Sequence, residues 1–176
     1  PRPAPVPFAW ELEFGPGPLR LYVDEATRKV YWYFTYTVTN NTGADQIWAP
    51  RLTLFTDRGE ILESGRGVPP RVTFDLLDFL GDELLEPQTR IIGDILQGRE
   101  NARDGLAIWP AERLDVNELS LFIGGLSGET ERVVNPVTGR PIILRKTLHR
   151  RYLIPGAAAD RVGDDLPLVE EEWILR

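Results

Sequence analysis

Residues 30–39 read VYWYFTYTVT, and this stretch decides the fold class. Apolar and aromatic side chains occupy the even positions, while tyrosines and threonines occupy the odd ones. Alternation with period two, built from aromatic and β-branched residues, is typical of a strand that packs one face on a hydrophobic core. We therefore predict a strand whose core face carries Val30, Trp32, Phe34, Tyr36 and Val38.

Short strand-like segments separated by turn signals lie on both sides of this strand. Between residues 70 and 80 the apolar residues adopt helical spacing, directly after a Pro-Pro pair that suits a helix start. The pattern predicts a mostly β fold, an antiparallel β-sandwich with one short helix inserted near residues 70–80. The other strands are predicted at residues 10–14, 19–23, 47–56, 61–62, 90–96, 105–109, 118–123, 130–134, 141–154 and 168–175.

The start of the chain differs in composition from the rest. Residues 1–9 read PRPAPVPFA, a proline-rich sequence typical of an extended spacer. It is interpreted either as a tether or as a frayed end, and residues 10–176 as a single sandwich domain. Because the chain begins with proline and contains no methionine, it is interpreted as processed or trimmed, and any targeting or anchoring segment is expected upstream of residue 1.

Composition narrows the possible functions. The formal net charge of −7 repels nucleic acid and anionic lipid on average, so other proteins are the expected partners. The chain has no cysteine, which excludes disulfides, thiolate nucleophiles and cysteine-ligated zinc. With a single histidine as well, we expect neither a metal nor a cofactor. No apolar run approaches the roughly 20 residues that a transmembrane helix needs.

Three segments together resemble immunoglobulin-like sandwich domains of uncharacterised exported bacterial proteins. They are the aromatic strand with its Asn-rich turn at residues 30–43, the sequence LAIWP at residues 106–110, and LFIGGLSG at residues 121–128. The resemblance implies an extracytoplasmic immunoglobulin-like domain in the periplasm or associated with the cell envelope. It supplies no catalytic residues, and a fold alone does not determine function.

The residues that could carry chemistry form no catalytic pattern. His149 lies among cations in a predicted strand, and no G-x-S-x-G nucleophile signature accompanies it. Asp75, Asp78 and Asp82 have the spacing of the solvated face of a helix, although a calcium site or a hydrolase carboxylate pair could use such residues. We therefore expect a protein that is not an enzyme.

Opposite charges mark two segments near the end of the chain. Arg145, Lys146, Arg150 and Arg151 make one predicted strand basic, and the Glu-Glu-Glu run at residues 170–172 makes another acidic. Because opposite charges on neighbouring strands stabilise pairing, we predict that the two strands are adjacent and antiparallel. The alternative is that the basic strand binds an acidic partner.

Aromatic residues outside the predicted core face are the other candidates for contact. Tyr31 and Tyr33 lie on the second face of the aromatic strand, where they either contact a partner or are covered by the helix. Trp48 and Trp109 lie beside prolines at strand ends. The candidate partner-binding residues are therefore Tyr31, Tyr33, Trp48, Trp109, Arg145, Arg150 and Arg151.

The sequence favours a non-catalytic exported binding or scaffolding domain, an accessory subunit at the outer face of a membrane or envelope complex. A carbohydrate-binding module is the first alternative, with Trp10 and Trp173 joining Trp48, Trp109 and the tyrosine pair as sugar-stacking rings. A carboxylate-dependent hydrolase is the second.

Overall fold

In the computed structural model, which describes residues 1–176, two β-sheets pack face to face and a helix covers the outside of one of them. The fold is mostly β, as the sequence predicts. No helix is long and apolar enough to span a membrane. The elements are β1 (Glu13–Val23), β2 (Val30–Thr39), β3 (Gln46–Trp48), β4 (Arg51–Thr56), β5 (Ile61–Glu63), α1 (Pro70–Leu80), β6 (Leu85–Pro87), α2 (Gln88–Ile91), β7 (Gly93–Ile95), β8 (Arg103–Pro110), β9 (Glu118–Gly124), β10 (Thr130–Val134), β11 (Pro141–Leu153) and β12 (Leu168–Leu175).

The first sheet has four strands in the order β1-β2-β8-β6. The second has six: β10-β11-β9-β4-β5, with β12 also paired to β11. β3 and β7 form a separate two-stranded ribbon. Pairing between these strands is antiparallel except between β6 and β8, which run parallel, so the predicted antiparallel sandwich is confirmed apart from this one short pair.

The hydrophobic core lies between the two sheets and is built around β2. Trp32, Phe34 and Val38 are completely buried, as the period-two pattern predicts, and Tyr36 is nearly so. Gly105 of β8 lies opposite Tyr36, and a Cβ atom at this position would lie 2.1 Å from the tyrosine ring. The glycine is therefore required for the two strands to pair beside a ring of this size.

A second, smaller core forms on the other side of the first sheet. Helix α1 packs Val72 and Leu76 on Tyr31 and Tyr33 of β2 and on Leu106 and Ile108 of β8. The prediction of a helix at residues 70–80 is confirmed, and the helix covers the tyrosine pair. β2 is therefore buried on both faces.

Four predicted strands are joined or divided differently in the structure. Residues 10–14 and 19–23 contribute to one strand, β1, whose register shifts between Pro16 and Leu19. The prolines are tolerated because β1 is an edge strand and leaves one side unpaired. The predicted strand 47–56 divides at Pro50 into β3 and β4, which join different sheets, and residues 90–96 form the end of α2 followed by β7.

Residues 1–9 contain no helix or strand. Most of these residues are exposed, but the backbone N–H of Ala4 donates a 2.8 Å hydrogen bond to Glu129 Oε1. Glu129 also lies 3.4 Å from Lys146 Nζ, and Lys146 lies 2.7 Å from Glu11. This buried ionic cluster fastens the start of the chain to β11.

An ion pair between the exposed Arg71 and the buried carboxylate of Asp24 fixes helix α1 on the first sheet. Both guanidinium nitrogens of Arg71 donate to the two carboxylate oxygens of Asp24, at 3.0 and 2.6 Å, and the Thr27 hydroxyl donates to the same carboxylate. The Arg71 guanidinium, assisted by this hydroxyl, holds the pKa of the Asp24 carboxyl well below its usual range. Asp24 follows β1 directly, so the pair connects the first turn of the helix to the sheet beneath it.

We expect Asp24→Asn to lower Tm by a few degrees at neutral pH, measured by calorimetry, because Arg71 loses its bidentate carboxylate partner. A carboxyl with a lowered pKa in the folded state stabilises the fold above its unfolded pKa, about 3.9 for Asp, and loses that contribution as the pH falls. The Tm difference between wild type and variant is therefore expected to shrink as the pH falls below about 4. Glu25→Gln is the control, because Glu25 is exposed and forms no ion pair; a pH-independent difference for Asp24→Asn would contradict the assignment.

Candidate arginine pocket and projecting arm

Four of the candidate partner-binding residues lie inside the protein. Trp48 and Trp109 are completely buried between the sheets, and Trp109 Nε1 donates to the Leu52 carbonyl at 3.3 Å. Tyr31 and Tyr33 are each only 3% exposed, because helix α1 covers them. None of these four residues reaches the surface, so their placement does not support the prediction that they contact a partner.

The row of exposed aromatic rings that a sugar-stacking surface needs is also missing from the predicted set. Only Trp10 and Trp173 remain partly exposed. Trp10 packs against Gly128, and Lys146 Nζ lies 5.0 Å from the centre of the Trp173 ring. Neither ring is therefore free on both faces.

The basic and acidic strands are adjacent and antiparallel, as the charge pattern predicts. In the register of β11 and β12, Arg150 lies opposite Glu171 and Arg151 opposite Glu170. Arg150 is buried, forms an ion pair with Glu171 and donates to the Tyr152 hydroxyl at 2.8 Å. Arg151 is held by Glu170 at 2.9 Å and by Glu118 at 3.3 Å. Both arginines stabilise the sheet, so the prediction that they serve as partner contacts is not supported by their placement.

Arg145 is the one predicted contact residue that is exposed and forms no ion pair. It lines a cavity of about 440 Å³ on the outer face of the six-stranded sheet. We call this cavity the arginine pocket. The side chains that line it and are relevant to ligand binding are those of Arg51, Thr53, Phe122, Arg145, Thr147 and Arg176.

The strands place these side chains by alternation. Leu52 and Leu54 of β4 point into the core, so Arg51 and Thr53 point outward, and the same parity places Phe122 of β9 on the outer face. Arg176 follows β12 and exchanges two backbone hydrogen bonds with Arg145, at 2.8 and 3.1 Å. Sequence reasoning missed Arg51 and Arg176, because strand register is what brings them beside Arg145.

Aromatic rings fill the outer face next to the pocket. Phe122 lies between Phe55 and His149 and stacks on the imidazole with ring centres 4.5 Å apart. The Arg176 guanidinium lies 4.0 Å from the centre of the Phe122 ring and 5.1 Å from that of Phe55. His149 lies in β11, as predicted for a strand, and is mostly covered, with Nδ1 3.4 Å from Glu172.

A hairpin extends the six-stranded sheet beside the pocket. We call residues 130–145 the arm: β10, the turn at residues 135–140 and the first part of β11. β10 is an edge strand with one unpaired side. Arg132 and Ile143 are register partners, as are Val134 and Pro141, and both pairs share a face with Arg145. Val134, Ile143 and the turn residue Val137 are 66%, 58% and 91% exposed. The arm therefore adds apolar surface directly beside the arginine pocket.

The other cavities are weaker candidates for a binding site. A cleft of about 230 Å³ beside α1 is mainly apolar, with Val68, Leu106 and Ile108 of the second core in its wall.

The acidic residues of α1 form no metal site. Asp75, one of the three aspartates with helical spacing, is bound by Arg71 at 2.6 Å. No group of three or more histidine, aspartate or glutamate residues has the arrangement of a metal site.

No protein-family model, curated protein or solved structure matches the chain. The candidate site is therefore defined by its own geometry, and no residue role is transferred from a relative.

We expect Glu171→Gln to destabilise the fold by about 1 kcal/mol, which corresponds to roughly 2–4 °C in Tm, because the buried guanidinium of Arg150 loses its carboxylate partner. Chemical denaturation measures the change. Glu112→Gln is the control, since Glu112 is exposed and unpaired, and it should leave the stability unchanged. An unchanged stability for Glu171→Gln would mean that this ion pair does not hold β12 in place.

Proposed function

We propose that the protein is a non-catalytic binding domain that docks an acidic partner protein through the arm and the arginine pocket. The main observation behind this proposal is the structure of the arm. A projecting hairpin with exposed apolar side chains on one face and an unpaired edge has little to contribute to the stability of its own domain. Contiguous apolar surface of this kind, bordered by charged residues, is typical of a protein interface.

The charge of the surface favours an acidic partner. Arg132 lies on the arm face beside Ile143, and Arg145 lies where the arm joins the sheet. Arg140 adds a third positive charge near the turn. These cations stand out on a chain of net charge −7, so they would attract and orient a negatively charged surface.

The same cations disfavour a second copy of this chain as the occupant. A two-fold contact between arms places the same patch of each chain against the other, so arginines face arginines. A different protein with carboxylates opposite Arg132 and Arg145 avoids this repulsion.

We further propose that the domain acts outside the cytoplasm, as an accessory subunit at the outer face of a membrane or envelope complex. Its support is the resemblance of residues 30–43 to exported immunoglobulin-like domains and the proline-rich sequence at residues 1–9. The arm belongs to the six-stranded sheet, whereas α1 covers the four-stranded one. Ala4 reaches Glu129, directly before the arm, but residues 130–145 themselves stay mostly exposed. A tethered domain could therefore still offer the arm to a neighbour.

Because the chain contains no cysteine, one introduced thiol can carry a photo-crosslinker to a single place. We expect Val134→Cys, labelled with a benzophenone maleimide and added to native membranes of the source cells, to give one crosslinked partner that mass spectrometry identifies. Adding Arg132→Glu and Arg145→Glu to the labelled chain should abolish the product. The same pair of substitutions should weaken binding to the purified partner at least tenfold, since each replaces attraction by repulsion.

Ile61→Cys is the matched control, because Ile61 is 62% exposed on β5, at the far edge of the same sheet. The proposal is contradicted if labels at residues 61 and 134 give the same products. It is contradicted equally if the arm crosslinks only to a second copy of the chain, or if the charge reversals leave binding unchanged.

A further inference from the structure

The arginine pocket contains more positive charge than the protein itself neutralises. Arg51 enters from β4, Arg145 from β11 and Arg176 from the end of β12. Only Arg51 has a carboxylate partner, Glu63, at 3.0 Å. Counted by side chains, three guanidinium groups and one carboxylate give the pocket an excess of two positive charges.

Two of these charges are forced together by the backbone. Arg145 and Arg176 are direct neighbours on paired strands, joined by reciprocal backbone hydrogen bonds. Like charges at directly opposite positions destabilise strand pairing. Burial, together with the nearby charge of Arg51, also lowers the pKa of the Arg176 guanidinium, although an arginine remains protonated under all ordinary conditions. An anion between these groups would relieve the repulsion.

The position of the Arg176 side chain favours the binding of such an anion. Its guanidinium lies 4.0 Å from the centre of the Phe122 ring and near Phe55, a position that favours arginine over lysine because a planar cation can stack on a ring. A stacked guanidinium keeps its N–H edge free to donate to an oxyanion, and its restricted motion reduces the entropy lost on binding. The cavity is about 440 Å³ and open to solvent, which is enough for a small anionic group.

We propose that the arginine pocket binds a doubly charged oxyanion, either a phosphate monoester or two adjacent carboxylates. The charge of such a group matches the excess of two positive charges, and guanidinium groups bind both chemistries through paired hydrogen bonds. The inference deepens the proposed function, on which it rests for the source of the anion: a phosphorylated side chain or an acidic pair on the docked partner.

The pocket is tested without any partner protein. Inorganic phosphate, succinate and acetate are titrated separately at constant ionic strength into the isotope-labelled chain, and the backbone amide shifts of residues 124, 145 and 176 are followed by NMR. We expect saturable shifts with phosphate, with succinate or with both, and only weak, non-saturating shifts with acetate. The tighter of the two dianions then decides between peptides carrying phosphoserine and peptides carrying an Asp-Asp pair.

Variants separate the pocket from general surface charge. Arg145→Gln should weaken binding at least tenfold, because it removes an unpaired cation from the pocket. Arg176→Lys retains the charge but loses the stacked planar group, and it should weaken binding several-fold. Arg99→Gln is the control and should change the affinity less than twofold, since Arg99 is exposed, unpaired and outside the pocket.

Three results would overturn the inference: no saturable binding of either dianion, equal affinity for acetate, or unchanged affinity in both pocket variants. Arg145 is exposed and its side chain is unpaired, so Arg145→Gln should fold normally, and an unchanged Tm verifies this. Failure of this titration leaves the arm crosslink of Val134→Cys unaffected. Failure of the crosslink with a positive titration would overturn the docking proposal and retain the anion site.

Discussion

The structure depends on the burial of both faces of one strand. β2 places Trp32 and Phe34 between the two sheets and Tyr31 and Tyr33 beneath helix α1. Burying side chains of this size contributes about 1.5–3 kcal/mol each, so no other strand supplies as much to the fold. The neighbours of β2 are adapted to it, most clearly at Gly105, which leaves room for the ring of Tyr36.

This arrangement decides which face of the protein is available for contact. The helix covers the outer face of the first sheet and is fastened there by Arg71 and Asp24. The outer face of the second sheet has no helix over it, and around the arginine pocket its side chains are mainly arginines, threonines and aromatic rings. A chain of net charge −7 thus has a local positive surface on its uncovered side, next to a projecting apolar hairpin. The proposed docking of an acidic protein uses both features.

Three cations of β11 have two different roles, according to the direction of their side chains. Lys146 and Arg150 point inward, where Glu11, Glu129 and Glu171 neutralise them and fasten both ends of the chain to the sheet. Arg145 points outward and meets Arg51 and Arg176 without a carboxylate of its own. A buried cation without a partner costs several kcal/mol, whereas an exposed one is solvated at little cost. The unpaired charge is therefore found only where water, or a ligand, can reach it.

Local patterns in the sequence determined the strands at 30–39 and 168–175, the helix at 70–80 and the pairing of the basic and acidic strands, because periodicity and charge act between near neighbours. Strand register and layer order were decided only by the tertiary structure. The sequence could not show that Trp48 and Trp109 are buried, since their exposure depends on which sheet lies above them. Nor could it bring Arg51, Arg145 and Arg176 together, because these residues come from three separate strand segments, and long-range pairing leaves no trace in local spacing.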